Sequence, residues 1–140
     1  MLFRSKNLIK NIEKALSQLS GALRSIKSGK EITSLDMKLI SLPIEFPPHC
    51  IVLVPELSLL SAEDNLGGDR LKDFLKTSGA FLHFLDPTEL LRAVQVAMHQ
   101  SSLGKETVPM LAFDSHLFKR WEHACQHNTP NIDVIAQFVD

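Results

Sequence analysis

Tyrosine is absent from this chain, tryptophan occurs once and cysteine twice. With no tyrosine and with phenylalanines mostly in apolar contexts, no platform is evident on which successive bases of a nucleic-acid strand would stack. The two cysteines, Cys50 and Cys125, form no C-x-x-C pair. Two separate thiols fit a reducing cytoplasm better than a disulfide framework. Long apolar runs are also missing. The longest, Cys50-Ile51-Val52-Leu53-Val54, is far below the roughly 20 residues a membrane span requires. Gly67-Gly68 precedes a helical pattern, but its loop holds Glu63, Asp64 and Asp69 and lacks the lysine and spacing of a P-loop. An acidic loop repels phosphate, so no nucleotide cradle is expected there.

What is present is ordinary in bulk and uneven in detail. The 140 residues, 44% hydrophobic and 22% charged, suffice for one domain with its own core. Net charge is -1, yet residues 1–30 carry seven Lys/Arg against the single acid Glu13, while residues 31–140 carry eight against fifteen acids. The basic segment is either an arm for an external anionic partner or a helix docked on an acidic body.

Leu8, Ile12, Ala15, Leu19, Ala22 and Ile26 recur at spacings of four and three, with Ile9, Leu16 and Leu23 alongside every seventh residue. This predicts an amphipathic helix from about Ser5 to Ser28, stopped by Gly29. The stripe suits a coiled-coil seam or a domain-covering helix equally. Its Lys, Arg and Ser content also resembles a mitochondrial targeting peptide, but heptad regularity favours a packed helix.

Residues 31–140 read as one α/β domain. Ser34 to Ile40 suggests a turn or two of helix, and Leu42, Ile44 and Phe46 alternate like an edge strand limited by Pro43. Ile51 to Val54 is expected as a strand buried on both faces. A loop then leads to a helix over Asp69 to Thr77, ending at Gly79. Further expected elements are strand Ala80 to Leu85, helix Thr88 to Gln100 with Leu90, Leu91, Val94 and Ala97 or Met98 inward, strand Val108 to Phe113, a helix through DSHLFKRWEHACQH, and strand Ile132 to Phe138. The alternation predicts a three-layer fold: a mainly parallel, four- to five-stranded sheet with helices on both faces, preceded by the long N-terminal helix.

In such a sheet, ligands gather beyond the carboxyl ends of the strands. Glu56, Asp86 and Asp114 fall at three predicted ends, where converging carboxylates would hold Mg²⁺ or Mn²⁺. Competing with this, Asp86-Pro87-Thr88-Glu89 has the form of a helix start, and Asp114 also precedes a helix it would cap. On the helix that follows, at about 100° per residue, His116, His123 and His127 share a line beside Arg120. Leu117, Phe118, Trp121, Ala124 and Cys125 take the other side. His123 and His127, four apart, are candidate Zn²⁺ or Ni²⁺ ligands, but the order Glu-His-x-x-x-His is not the metalloprotease motif. A solvated histidine face is the plainer expectation.

The expected function is therefore a non-catalytic protein-interaction or regulatory module. It would self-associate, as a homodimer, or dock a protein partner through Leu8, Ile12, Leu16, Leu19, Leu23 and Ile26, with no cofactor. The alternative is a metal-dependent phosphoesterase or nuclease built on the three acids and a divalent metal. A third reading, anion or nucleic-acid binding without sequence readout, rests on Lys6, Lys10, Lys14, Arg24 and Lys27.

Overall fold

The computed structural model describes residues 2–29, 32–33, 39–40, 47–60, 66–102 and 109–128, with side chains for 7–29, 47–60, 66–100 and 109–128. Helix α1 spans Leu2–Lys27, and the chain leaves it through Gly29 at φ 80°, a left-handed conformation that costs glycine little. Strands β1 (Ile32–Thr33) and β2 (Leu39–Ile40) form a short antiparallel pair. Leu39 and Ile40 are therefore extended, not the end of a helical turn. The expected edge strand at Leu42 to Phe46 lies outside the described residues.

Strand β3 (His49–Leu53) leads through a 3₁₀ turn at Leu57–Leu59 to helix α2 (Gly68–Ser78), and strand β4 (Phe81–Leu85) returns parallel to β3. Helix α2 ends at Gly79, φ 71°, whose N–H reaches the Leu75 carbonyl at 2.9 Å. Lys27 of α1 donates to the Ser78 carbonyl at 3.2 Å, a cation placed at the negative end of α2. Helices α3 (Pro87–Ser102) and α4 (Pro109–His127) complete the described chain.

The expected four- to five-stranded sheet is corrected by this arrangement. The described chain is mostly helical, and its parallel sheet has two strands, β3 and β4. The strand expected at Val108 to Phe113 is corrected to helix, because Pro109 to Phe113 form the first turns of α4. A short apolar run fits a buried strand or a helix face equally, and Pro109 at the first helical position decides for helix. The strand expected at Ile132 to Phe138 lies outside the described residues.

Register places Cys50, Leu82, Val52 and Phe84 on one sheet face, and His49, Phe81, Ile51, His83, Leu53 and Leu85 on the other. The first face joins Ile12, Leu16 and Leu23 of α1 and Leu71 and Phe74 of α2 in one hydrophobic core, with Leu8, Ile9, Ala15 and Leu19 packed at its margin. β3 is thus fully buried on this face only; Ile51 is half-buried and Leu53 exposed. Gly67 and Gly68 serve this packing too. A Cβ on Gly67 would lie 2.7 Å from the Asn128 carbonyl oxygen, and one on Gly68 2.5 Å from that of Cys125. The glycine pair lets the start of α2 meet the end of α4, where Asn128 Oδ1 accepts from the Gly68 N–H at 2.7 Å.

Leu16→Ala is expected to cost about 2–5 kcal/mol of stability in urea unfolding, as for other buried leucines. Lys14→Ala, on the exposed side of α1, should stay within about 0.5 kcal/mol. Equal, small effects would show that the stripe is not core.

Candidate functional site

The carboxyl ends of β3 and β4 converge on Asp86. Its Oδ1 accepts from the Glu89 N–H at 2.8 Å, and its Oδ2 from the Leu57 N–H at 2.9 Å. One carboxylate therefore caps α3 and also anchors the turn that leaves β3. Burial raises the Asp86 pKa, but the backbone donors of Leu57 and Glu89 and the charge of Arg120 outweigh it and lower it overall. Glu56 is exposed and lies 3.5 Å from the Ser58 hydroxyl. Asp114 sits inside α4, five residues past its start, and so neither ends a strand nor caps a helix. Its charge acts on His49, at the opposite end of the strands from Asp86. The three acids are not brought together, and no group of three His, Cys, Asp or Glu among the described residues could hold a metal ion.

The second sheet face carries His49 and His83 and is covered by α4. α4 buries Ala112, His116, Leu117, Arg120 and Ala124. The solvated histidine face is thus corrected: His116 and Arg120 point inward, while Phe118 is the exposed member. Phe113, Leu117, Arg120 and Ala124 keep spacings of four, three and four, a stripe hidden because arginine occupies one of its positions. On the sheet, His49 Nδ1 and His83 Nε2 share a hydrogen bond of 2.8 Å. His83 is 1% exposed and Arg120 2%. Arg120 Nε lies 3.9 Å from Glu89 Oε2, and Glu89 also accepts from Arg92 at 3.2 Å. Phe81 meets Phe118 and Trp121 edge-on, with centroids 5.4 and 5.1 Å apart.

Burial is the main cause of every shift in this cluster. It holds His83 well below its usual pKa, aided by the charges of His49, Arg120 and His116. It lowers His116 to about 4, aided by Arg120 and Lys119. His49 is lowered by burial and partly restored by Asp114. Arg120 is lowered by burial and supported by Glu89 and Asp86. His83 Nδ1 and Arg120 Nε and Nη2 are buried without a hydrogen-bond partner among the described residues. Each such atom is costly, at about 1–3 kcal/mol. The histidine pair can pass a proton, but an acid–base pair alone defines no reaction class.

Of the remaining candidates, His123 and His127 stack at 4.9 Å on the last turn of α4. Ile12, Leu16 and Leu23 are buried in the chain's own core, and Ile26 is half-buried. Lys10, Lys14, Arg24 and Lys27 are exposed on α1, while the Lys6 side chain lies outside the described set. Cys50 and Cys125 are free thiols raised by burial, Cys125 to about 11.

Helix α3 buries Ala97 as expected but turns Leu91 and Val94 outward. Its buried positions are Glu89, Ala93, Val96 and Ala97, whereas Leu91, Val94 and Met98 are 58%, 44% and 56% exposed. Both faces are apolar, so periodicity alone chose the one with the larger side chains. Met98 and Val94 border a groove of about 250 Å³ with Ala97, Pro109, Met110 and Phe113.

No family model, curated protein or solved structure matches the chain. No helix among the described residues is long and apolar enough to cross a membrane.

Asp86→Ala is expected to cost about 1–2 kcal/mol through the lost cap. Asp86→Asn keeps one acceptor oxygen but sets its amide N–H₂ against the other backbone donor, so it should recover only part of that stability in the same unfolding assay. An alanine variant as stable as the parent would remove the capping role.

Proposed function

We propose that this protein is a non-catalytic interaction module that self-associates, and that its contact surface is the outer face of α3 with the start of α4. The observation behind this is the row Leu91, Val94 and Met98, spaced three and four apart opposite the buried side of α3, with exposed Met110 sharing the groove beside Val94 and Met98. Exposed apolar side chains gathered in this way mark interaction sites on soluble proteins. The stripe on α1 is a poorer interface, because Ile12, Leu16 and Leu23 would have to leave the core to serve it.

Self-association suits the geometry of the row. In an antiparallel pairing about a two-fold axis near Val94, Leu91 of each copy meets Met98 of the other, and no acidic or basic residue lies within the row. Full burial of a leucine or methionine side chain contributes about 1.5–3 kcal/mol. With about half of each still to bury, the contacts of both copies together must offset the cost of association, which suits a weak dimer in the micromolar range. The two free thiols favour a reducing compartment such as the cytoplasm. The metal-dependent alternative finds no support in the positions of Glu56, Asp86 and Asp114.

Light scattering should show a dimer at tens of micromolar. Leu91→Asp with Met98→Asp should yield a monomer with an unchanged far-ultraviolet dichroism spectrum. A wild-type chain that stays monomeric would overturn self-association, and a dimer unaffected by the double substitution would remove this face.

A further inference from the structure

We propose that the His49–His83 pair, walled by His116 and Arg120 of α4, is an acid-sensitive latch that seats α4 on the sheet at neutral pH and releases it when His83 gains a second proton. The 2.8 Å bond between His49 Nδ1 and His83 Nε2 needs one nitrogen to donate and the other to accept. A second proton on His83 makes both its nitrogens donors. The bond between the strands survives while His49 is neutral, but an uncompensated charge then lies buried beneath α4, on the face that also buries Arg120 and His116. If His49 is also charged, the bond is lost and two cations face each other. Nor can water spread that charge, since His83 is buried between the strand and α4.

The surrounding charges make the arrangement one-sided. From β3, His49 acts on His83; from α4, Arg120 and His116 do so, all in the direction that resists protonation. Lys119 adds to the resistance at His116. The acids act on its neighbours: Asp114 supports the charge of His49, while Glu89 and Asp86 serve Arg120. Burial and neighbours hold His83 and His116 below their unfolded values, so the linkage has a definite sign. Both histidines are neutral in either state above about pH 6.5, and the latch is fully closed. As pH falls below that value the released state takes up protons that the seated state refuses, until His116 titrates in place at about 4. Across that window, each buried histidine favours release by up to about tenfold per pH unit, and the two together by up to about a hundredfold.

Trp121, the chain's one tryptophan, reports the event because it rests edge-on against Phe81 of β4. The latch operates within a single chain and does not depend on the association reading.

The test is tryptophan emission from about pH 7.5 to about 4.5 at constant ionic strength, beside far-ultraviolet dichroism. A red shift centred within that range, preceding any loss of helicity, is expected. His83→Gln keeps a hydrogen-bonding side chain that cannot be charged; it should move the midpoint down by about half a pH unit or more and make the transition shallower. His127→Gln, on an exposed side chain, should leave it in place. A flat emission profile, simultaneous loss of emission and helicity, or an unchanged midpoint in His83→Gln would each overturn the latch. Should His83→Gln fail to fold, magnetic-resonance titration of the wild-type histidine rings decides. A buried ring that stays neutral until release supports the latch, and one titrating near 6.5 in the folded chain overturns it.

Discussion

The described structure depends on covering a parallel sheet only two strands wide. Parallel strands are stable when both faces are shielded, and a pair on its own buries too little to persist in water. α1 meets this need on one side by laying Ile12, Leu16 and Leu23 over Cys50, Val52, Leu82 and Phe84. The heptad-like regularity of α1 follows from that duty. A helix lying along β3 and α2 must present apolar groups at every turn of its inner face, and spacings of three and four do this whether the neighbour is a sheet or another helix. Secondary polar contacts fix its register: Ser20 meets Ser78 at 3.0 Å, and Arg70 reaches Glu13 at 2.6 Å.

Much of the element order was legible because its punctuation is local chemistry. Gly29 and Gly79 have the left-handed conformations that end helices, and Asp86-Pro87 carries the acceptor and the fixed φ that begin one. The alternation of β3, α2 and β4 could be read from β-branched runs and helical spacing. Sheet size could not. It depends on whether short apolar segments are extended or helical, and Pro109-Met110-Leu111-Ala112-Phe113 satisfies both patterns until tertiary packing selects one.

The faces of α3 and α4 were illegible for a different reason. Periodicity weighs side chains by hydrophobicity, but burial is decided by what fits. Ala93 and Ala97 allow α3 to approach closely, so the small residues go inside and Leu91, Val94 and Met98 remain outside. In α4, arginine and histidine occupy inward positions that hydropathy assigns to solvent. Glu89 supplies the charge that makes Arg120 tolerable there. That pairing joins residues 31 positions apart, and no local pattern announces it.

Asp86 and Arg120 also separate two ways of holding a charge within the fold, one half-buried and one buried. Asp86 is answered completely, with a backbone donor on each oxygen, and its position at the strand ends is explained by what it holds together. Arg120 is answered only in part: its nearest acid approaches to 3.9 Å, and two of its nitrogens have no hydrogen-bond partner among the described residues. Well-packed apolar residues of similar volume commonly stabilise a fold more than a buried ion pair does. Stability alone is therefore a poor reason for arginine at this position. Its charge resists protonation of both His83 and His116, so one residue couples the protonation of the sheet face to that of the helix above it. An apolar substitute would fill the space and loosen that coupling.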